Sequence, residues 1–358
     1  MRAKRERAAG RGLAAFIQGV AASVSWAERG LGLGDLIFRT VTAALADAGR
    51  TIGEVETLVL AAHDLIDGRS LSSMVTAPAA GAYLKDEIRL AEDGLAAVSL
   101  AAAQVEAGQS PLVIVAAWGR ASEVDFPSHA RAAFDPAFAQ PFGLTEAGVS
   151  AMRLSAWLAR YGDAGPARAE AAAARLRRAA RNPLGAGAGA PWPIRAYPLR
   201  DEEMPRAADI VAAMLIGAAP GKARIRGVGH GTDVSDIGAR DLLALPSLRA
   251  ASDGALRAAG CALEDISAFE MDGFALSDEA LAMEAAGLAA PGEGFAAYAA
   301  HTAFNRSGGG AAGWCYPAIG LLRLHDALGA LKPGELALAA GASPVGAQAH
   351  VAVVAEAA

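Results

Sequence analysis

Ala44-Leu45-Ala46-Asp47-Ala48-Gly49, running on through Ile52 and Val55 into Thr57-Leu58-Val59-Leu60, decides the fold because the chain repeats it. Ala255-Leu256-Arg257-Ala258-Ala259-Gly260 runs on through Leu263 and Ile266 into Ala268-Phe269-Glu270-Met271, with the same offset at every position. Each copy reads as a helix end, a glycine C-cap, a short linker and a buried strand. The spacing is far too long for a solenoid repeat. A duplicated half-domain explains it; chance similarity between two alanine-rich helix ends is the competing explanation.

The surroundings of the two copies match in order as well. The first half reads as a strand at 15–23, a helix opening at Gly34, a strand at 57–62, and a short helix near 70–82. A strand near 87–90, a helix from Gly94 to Gly108 and the apolar strand Pro111–Ala116 follow. The second half reads as a strand at 223–228, a helix over about 241–260, a strand at 268–274 and a short helix at 277–287. A helix near 318–330 and strands at 335–340 and 349–355 complete it. Between them, about 120–204 changes texture: most prolines, the Gly185–Gly189 tract and helical patterns at 145–161 and 167–181 lie there, as expected of an inserted loop subdomain. The expected organisation is an N-terminal half, 1–219, carrying that insertion, and a C-terminal half, 220–358. Two mixed α/β units packed together give helix, sheet, helix, sheet, helix layers, and the central helices must be apolar on most faces. Leu95–Ala103 has that character.

Composition narrows the function classes. The 358 residues suffice for one large or two fused domains. The 53% hydrophobic content is largely alanine, and no apolar run reaches the roughly 20 residues of a membrane helix. The basic start, Met1 to Gly12, reads as a frayed arm before a strand rather than as a signal peptide. A net charge of −6 without a sustained basic face argues against nucleic acid. Two cysteines, Cys261 and Cys315, make no disulfide framework, no Cys/His group has zinc spacing, and a cytoplasmic setting is expected.

Several landmarks, in order, resemble the thiolase superfamily, especially the sterol-carrier-protein-type thiolases and their non-thiolytic relatives. Ala44–Leu60 looks like the first helix with its DAG-type turn, and Gly94–Val98 like the start of the helix behind the nucleophile. Arg178–Pro183 is similar to the loop-domain RxAxxNP stretch. Glu270–Phe274 stands at the Asn-Glu-Ala-Phe or His-Asp-x-Phe box, and Asn305-Arg306-Ser307-Gly308-Gly309 matches Asn-x-Ser-Gly-Gly. The resemblance implies an α/β, duplicated, five-layer αβαβα fold, a homodimer, coenzyme A or acyl-CoA as ligand, and a place in lipid metabolism.

The departures concern the chemistry. Thiolases place a cysteine just before the buried helix, whose N-terminus favours the thiolate. Here the run is Ala91-Glu92-Asp93-Gly94, and alanine forms no acyl-enzyme. Asp93 reads first as an N-cap, second as an acid or base. The Gly-His-Pro box becomes Gly313-Trp314-Cys315-Tyr316-Pro317, the C-terminal Cys-x-Gly-Gly becomes Ala339–Ser343, and Met271 replaces the Asn or His before Asp272. Cys315 is then a candidate relocated thiol, Tyr316 a candidate acid or base, Asp272 a lone carboxylate, and His301 a histidine near the Asn305 motif. His63, just after a strand, is a further candidate to face a pocket. His129, His230, His325 and His350 read as surface or packing residues. Arg175, Arg178 and Arg181, with Arg177, lie on one basic helix and are candidates for the phosphates of a CoA-type ligand, against a merely solvated face. Ser307, Gly308 and Gly309 permit close backbone approach there; no Walker lysine follows.

Three functions compete. One is a thiolase-like subunit without cysteine chemistry in an acyl-CoA acyltransferase or retro-aldolase complex, with the small zinc-ribbon and OB-fold partner that such relatives use; Tyr316 suits the aldolase version. The second is an active acyltransferase with its nucleophile at Cys315. The third is a non-catalytic structural subunit.

Overall fold

The computed structural model describes residues 14–64, 73–123, 128, 131–185, 192–343 and 346–358. The basic start, His129 and most of the Gly185–Gly189 tract lie outside the described residues. The first half contains β1 (Phe16–Ser25), α1 (Leu33–Asp47), β2 (Thr57–Ala61), α2 (Ser73–Ala79), β3 (Asp86–Leu90), α3 (Gly94–Glu106), β4 (Leu112–Arg120) and β5 (Asp209–Gly217). Between β4 and β5 lie α4 (Glu146–Tyr161) and α5 (Gly165–Ala179). The second half contains β6 (Ala223–Thr232), α6 (Pro246–Ala259), β7 (Ile266–Met271), α7 (Leu276–Ala285), α8 (Gly294–Ala300), α9 (Ile319–Gly329), β8 (Leu336–Ala342) and β9 (Ala349–Ala357). The helix expected from 241 starts only at Pro246, because proline suits the first turn and Asp241 instead closes a turn on Leu243. The strand expected to reach Phe274 stops at Met271. Helix α8, whose sequence Gly-Phe-Ala-Ala-Tyr-Ala-Ala gives too short a period to read, was not expected.

Duplication is visible in the pairing. The strand order is β3-β2-β4-β5-β1-β6-β9-β8-β7. β2 and β4 are parallel, as are β7 and β8; β4 pairs antiparallel with β5 and β5 with β1, just as β8 pairs with β9 and β9 with β6. Among the described residues only β3, parallel to β2 at the edge, has no counterpart. The halves are not two separate sheets: Phe16 and Ile17 pair with Arg224 and Ala223, joining them at one corner.

Both first strands carry a register shift at the same place, before Gly19 in β1 and before Gly227 in β6. A Cβ on Gly19 would stand 2.3 Å from the Ala44 carbonyl of α1, and one on Gly227 2.2 Å from the Ala255 carbonyl of α6. Ala44 and Ala255 are the matched first residues of the repeated segment, so the repeat encodes the same strand-to-helix contact twice. Gly49 and Gly260 end the two helices at φ +63° and +68°, where only glycine is unstrained.

The layers follow from alternation along the strands. Val113, Val115 and Ala117 of β4 face the core shared with α3, α9 and Val351, Val353 and Ala355 of β9. Ile114, Ala116 and Trp118 face α1. On the other half-sheet, Ala352 and Val354 face α6 and α7. All nine residues of β4 and of β5 are buried, as a strand covered on both faces demands. Two helical layers therefore lie outside and one, α3 with α9, between the half-sheets. No helix among the described residues is long and apolar enough to cross a membrane.

Gly227→Ala is expected to lower stability by about 1–3 kcal/mol, since a backbone carbonyl occupies the methyl's place. Gly49→Ala meets open space and costs only the left-handed conformation, about 1 kcal/mol. Urea denaturation of both variants checks the order; a harmless Gly227→Ala contradicts the close approach.

Candidate active site

The site forms where both central helices begin. Asp93 is the N-cap of α3: its Oδ1 accepts from the Leu95 N–H at 2.9 Å. Its Oδ2 accepts from the Gly320 N–H at 2.9 Å, in the first turn of α9. One carboxylate thus caps two helices. Gly320 and Gly341 make room for it, because a Cβ on either would lie within 2.0 Å of Oδ1. Burial pushes the Asp93 carboxyl up to about 8, reinforced by Asp272 and Glu92 and opposed by the two N–H donors.

This arrangement answers the missing cysteine. Where the thiolase pattern aims a helix N-terminus at a thiolate, these donors are already occupied by an internal carboxylate. Ala91, at the cysteine's position, and Glu92 beside it are both exposed, and partial desolvation raises the Glu92 pKa.

Tyr316 lies under Ala91. Its hydroxyl makes a long 3.5 Å contact to the Ala91 carbonyl, and its ring centroid stands 6.5 Å from that of His63. Burial, then the fields of Glu92 and Asp93, hold the phenol well above its ordinary pKa, so it remains protonated and is a proton donor, not a resident base. Burial lowers the pKa of His63, which keeps it a neutral imidazole near pH 7. His63 and Tyr316 are 253 positions apart in the chain, and only the stacking of the half-sheets brings them together.

Asp272 follows the end of β7 and accepts from the Trp314 indole at 3.0 Å. Burial raises its carboxyl to about 7. Trp314, Phe274 and Trp192 form a mutual edge-to-face cluster with centroids 5.0–5.4 Å apart. Trp314 and Phe274 also line a cavity of about 20 Å³ beside Glu146, Arg153 and His350, room for little more than one water. Glu146, pushed up to about 8 by burial, was not singled out from sequence; an ordinary helix-start Glu after Thr145 carries no signal of that environment.

The other candidates scatter. Cys315 is fully buried, its Sγ so close to β4 that only glycine fits at 119. His301 stacks edge-on against Phe269, and its carbonyl accepts from Arg178. The four arginines do not form one phosphate-facing surface. Arg175 is fully buried and donates from Nε and Nη2 to Glu279 at 3.0 and 2.7 Å. Arg178 is spent on the carbonyls of Tyr298, His301 and Phe304 at the end of α8. Arg177 and Arg181 stay exposed. Gly308 and Gly309 make room for Ala179 of α5 and for the Glu279 carboxylate, while Ser307 donates to Glu270 at 2.6 Å.

Asp93, Glu146 and Asp272 have folded pKa values above the unfolded value of about 4. Between that value and 7–8 the folded protein binds more protons than the unfolded chain. Stability therefore falls as pH rises through this window, by up to about 1.4 kcal/mol per pH unit for each group. Asp93→Asn is expected to flatten the decline of the denaturation midpoint between pH 5 and 8, whatever its effect on the absolute midpoint. An unchanged slope contradicts the buried carboxyl.

No family model and no curated protein matches the chain. Solved structures do. The Ltp2-ChsH2(DUF35) aldolase superposes with a TM-score of 0.78 at 19% identity, over 96% of this chain and 98% of that one. A monomeric SCP2-thiolase like protein type 1 from Mycobacterium smegmatis gives 0.72 at 18% identity, over 96% and 77%. The chain has the duplicated fold of the SCP2-thiolase-like proteins.

Proposed function

We propose that this protein is the thiolase-fold subunit of an acyl-CoA complex that forms or cleaves a carbon–carbon bond without cysteine chemistry. The observation that carries the reading is the protonated Tyr316 phenol under exposed Ala91, beside a neutral His63. In a retro-aldol cleavage of a hydroxyacyl-CoA, His63 takes the hydroxyl proton as the bond breaks. Tyr316 gives a proton, or a hydrogen bond, to the enolate that leaves. Full-length likeness to an aldolase whose name includes a DUF35 partner supports both the reaction class and a small zinc-ribbon and OB-fold partner. Cys315, sealed against β4, gives the acyltransferase reading no support.

The non-catalytic reading has its own observation, the Trp192–Phe274–Trp314 cluster that fills the space beside Asp272. The two are separated by titrating the protein, alone and with its small partner, with CoA and acyl-CoAs. The catalytic reading expects a rise in melting temperature. It also expects hydroxyacyl-CoA cleavage that falls about 10²–10⁴-fold in Tyr316→Phe, with the fold preserved by circular dichroism. A flat thermal response to every thioester sinks it and leaves a structural subunit.

A homodimer belongs to the same proposal. Strand β3 is an open sheet edge, and Met74, Val75, Tyr83 and Leu84 beside it are 58–88% exposed. The M. smegmatis protein is monomeric, so the outcome is informative. Light scattering is expected to give a dimer that Leu84→Asp dissociates; a wild-type monomer at micromolar concentration contradicts it.

A further inference from the structure

The Tyr316 hydroxyl has one hydrogen bond among the described residues, the 3.5 Å contact to the Ala91 carbonyl. A normal O–H···O bond is about 2.7–2.8 Å, so this one is too long to fix the phenol. Packing confines the ring, and the backbone that carries it decides where the hydroxyl ends. Four hydrogen bonds tie that backbone on both sides. Upstream, the Trp314 N–H donates to the Arg206 carbonyl at 2.7 Å and the Trp314 carbonyl accepts from the Ala208 N–H at 3.3 Å, just before β5. Downstream, the Pro317 carbonyl accepts from the Gly94 N–H at 2.9 Å, and the Gly320 N–H donates to Asp93 Oδ2 at 2.9 Å. Three of these bonds are backbone to backbone; Asp93 supplies the side chain of the fourth.

Capping α3 does not by itself account for a carboxylate here. Serine caps a helix about as well as aspartate, and burying a carboxylate costs more than burying a hydroxyl. What serine lacks is reach. Asp93 spans from the Leu95 N–H to the Gly320 N–H. Gly320 on α9 and Gly341 on β8 both lack the Cβ that would lie 1.9 or 2.0 Å from its Oδ1. Three elements are thus shaped around the second bond. The two helix starts also touch: a Cβ on Gly94 would stand 2.7 Å from the Leu321 Cβ.

We infer that Asp93 is the positioning residue of the Tyr316 phenol. By bonding Gly320 it holds the first turn of α9, and with it Tyr316-Pro317, against the Ala91–Gly94 turn. Its part in catalysis rests on the retro-aldol reading; its hold on the phenol stands without it. A proton donor displaced by about 1 Å loses on the order of 10²-fold in rate.

Asp93→Ser separates the two bonds, because the shorter side chain still caps α3 and no longer reaches Gly320. Two readouts are taken on the full chain. One is the Tyr316 resonance in protein with tyrosine labelled by carbon-13 at Cζ, identified among five tyrosines as the signal lost in Tyr316→Phe. The other is hydroxyacyl-CoA cleavage with the small partner present. Asp93→Ser is expected to move the resonance and to lower kcat about 10–100-fold with KM unchanged. Gly320→Ala, whose methyl would stand 1.9 Å from Oδ1, breaks the same bond from the other side. It is expected to move the resonance likewise, and it replaces Asp93→Ser should that variant not fold. Gly227→Ala, which disturbs the contact between β6 and α6 instead, controls for lost stability and is expected to leave both readouts as in wild type. A Tyr316 resonance that stays in place when the bond is broken overturns the inference. So does an equal displacement in Gly227→Ala. A raised KM with kcat unchanged overturns the catalytic part. If the wild type cleaves no hydroxyacyl-CoA, the retro-aldol reading fails, and the resonance alone decides whether Asp93 positions the phenol.

Discussion

The buried carboxylate of Glu279 organises the insertion and the second half around one point. It accepts from Arg175 of α5 through two nitrogens, from the Gly310 N–H, from the Tyr298 hydroxyl at 2.6 Å and from Asn305 Nδ2 at 3.1 Å. Arg175 in turn donates to the Glu203 and Met204 carbonyls, and Glu203 holds Arg168 in a bidentate pair. Asn305, at φ +42°, exchanges hydrogen bonds with the backbone of Met271 and so fixes the end of β7, from which Asp272 projects. A fully buried ion pair is weak evidence of net stability, but losing one partner leaves an uncompensated charge at a cost of about 3–5 kcal/mol. Its main effect is positional: it ties α5, Asn305 beyond the end of α8, and the glycine loop to one carboxylate.

The same logic governs the candidate active site. Two helix N-termini converge there, and their free N–H groups would stabilise an anion. Asp93 occupies them from within. One N–H of each helix, from Leu95 and from Gly320, is taken up by this side chain. The rim carries exposed Ala91 and Glu92 and half-buried His63, with the buried Tyr316 phenol beneath.

The frame was legible in the sequence because it depends on local rules stated twice: helix, glycine cap, linker, strand. The layers followed from apolar runs long enough for doubly covered strands. The site was only half legible. Asp93 reads as an N-cap from its own neighbours, but its second bond, to Gly320, joins residues 227 apart, and no periodicity reports that. The arginines show the opposite failure, because the information was present. Positions 175 and 178 share one face of α5, 177 lies on another, and 181 falls beyond the last helical residue, Ala179. The inner pair is consumed by Glu279 and by the carbonyls that follow α8, while Arg177 and Arg181 stay exposed. Proximity in the chain grouped four residues that the helix and its end divide.

Trp192 carries the aromatic contact between the insertion and the second half. Its backbone N–H donates to the Pro205 carbonyl at 2.9 Å, just before β5, and its ring meets both Trp314 and Phe274 edge-on. Trp192 belongs to the insertion, whereas Trp314 and Phe274 belong to the second half. Among the insertion's other attachments, Arg175 to Glu279 and Arg153 to Asp278 are buried ion pairs of α5 and α4. Aromatic edge-to-face contacts are worth about 0.5–1.5 kcal/mol each beyond burial, far less than breaking those pairs.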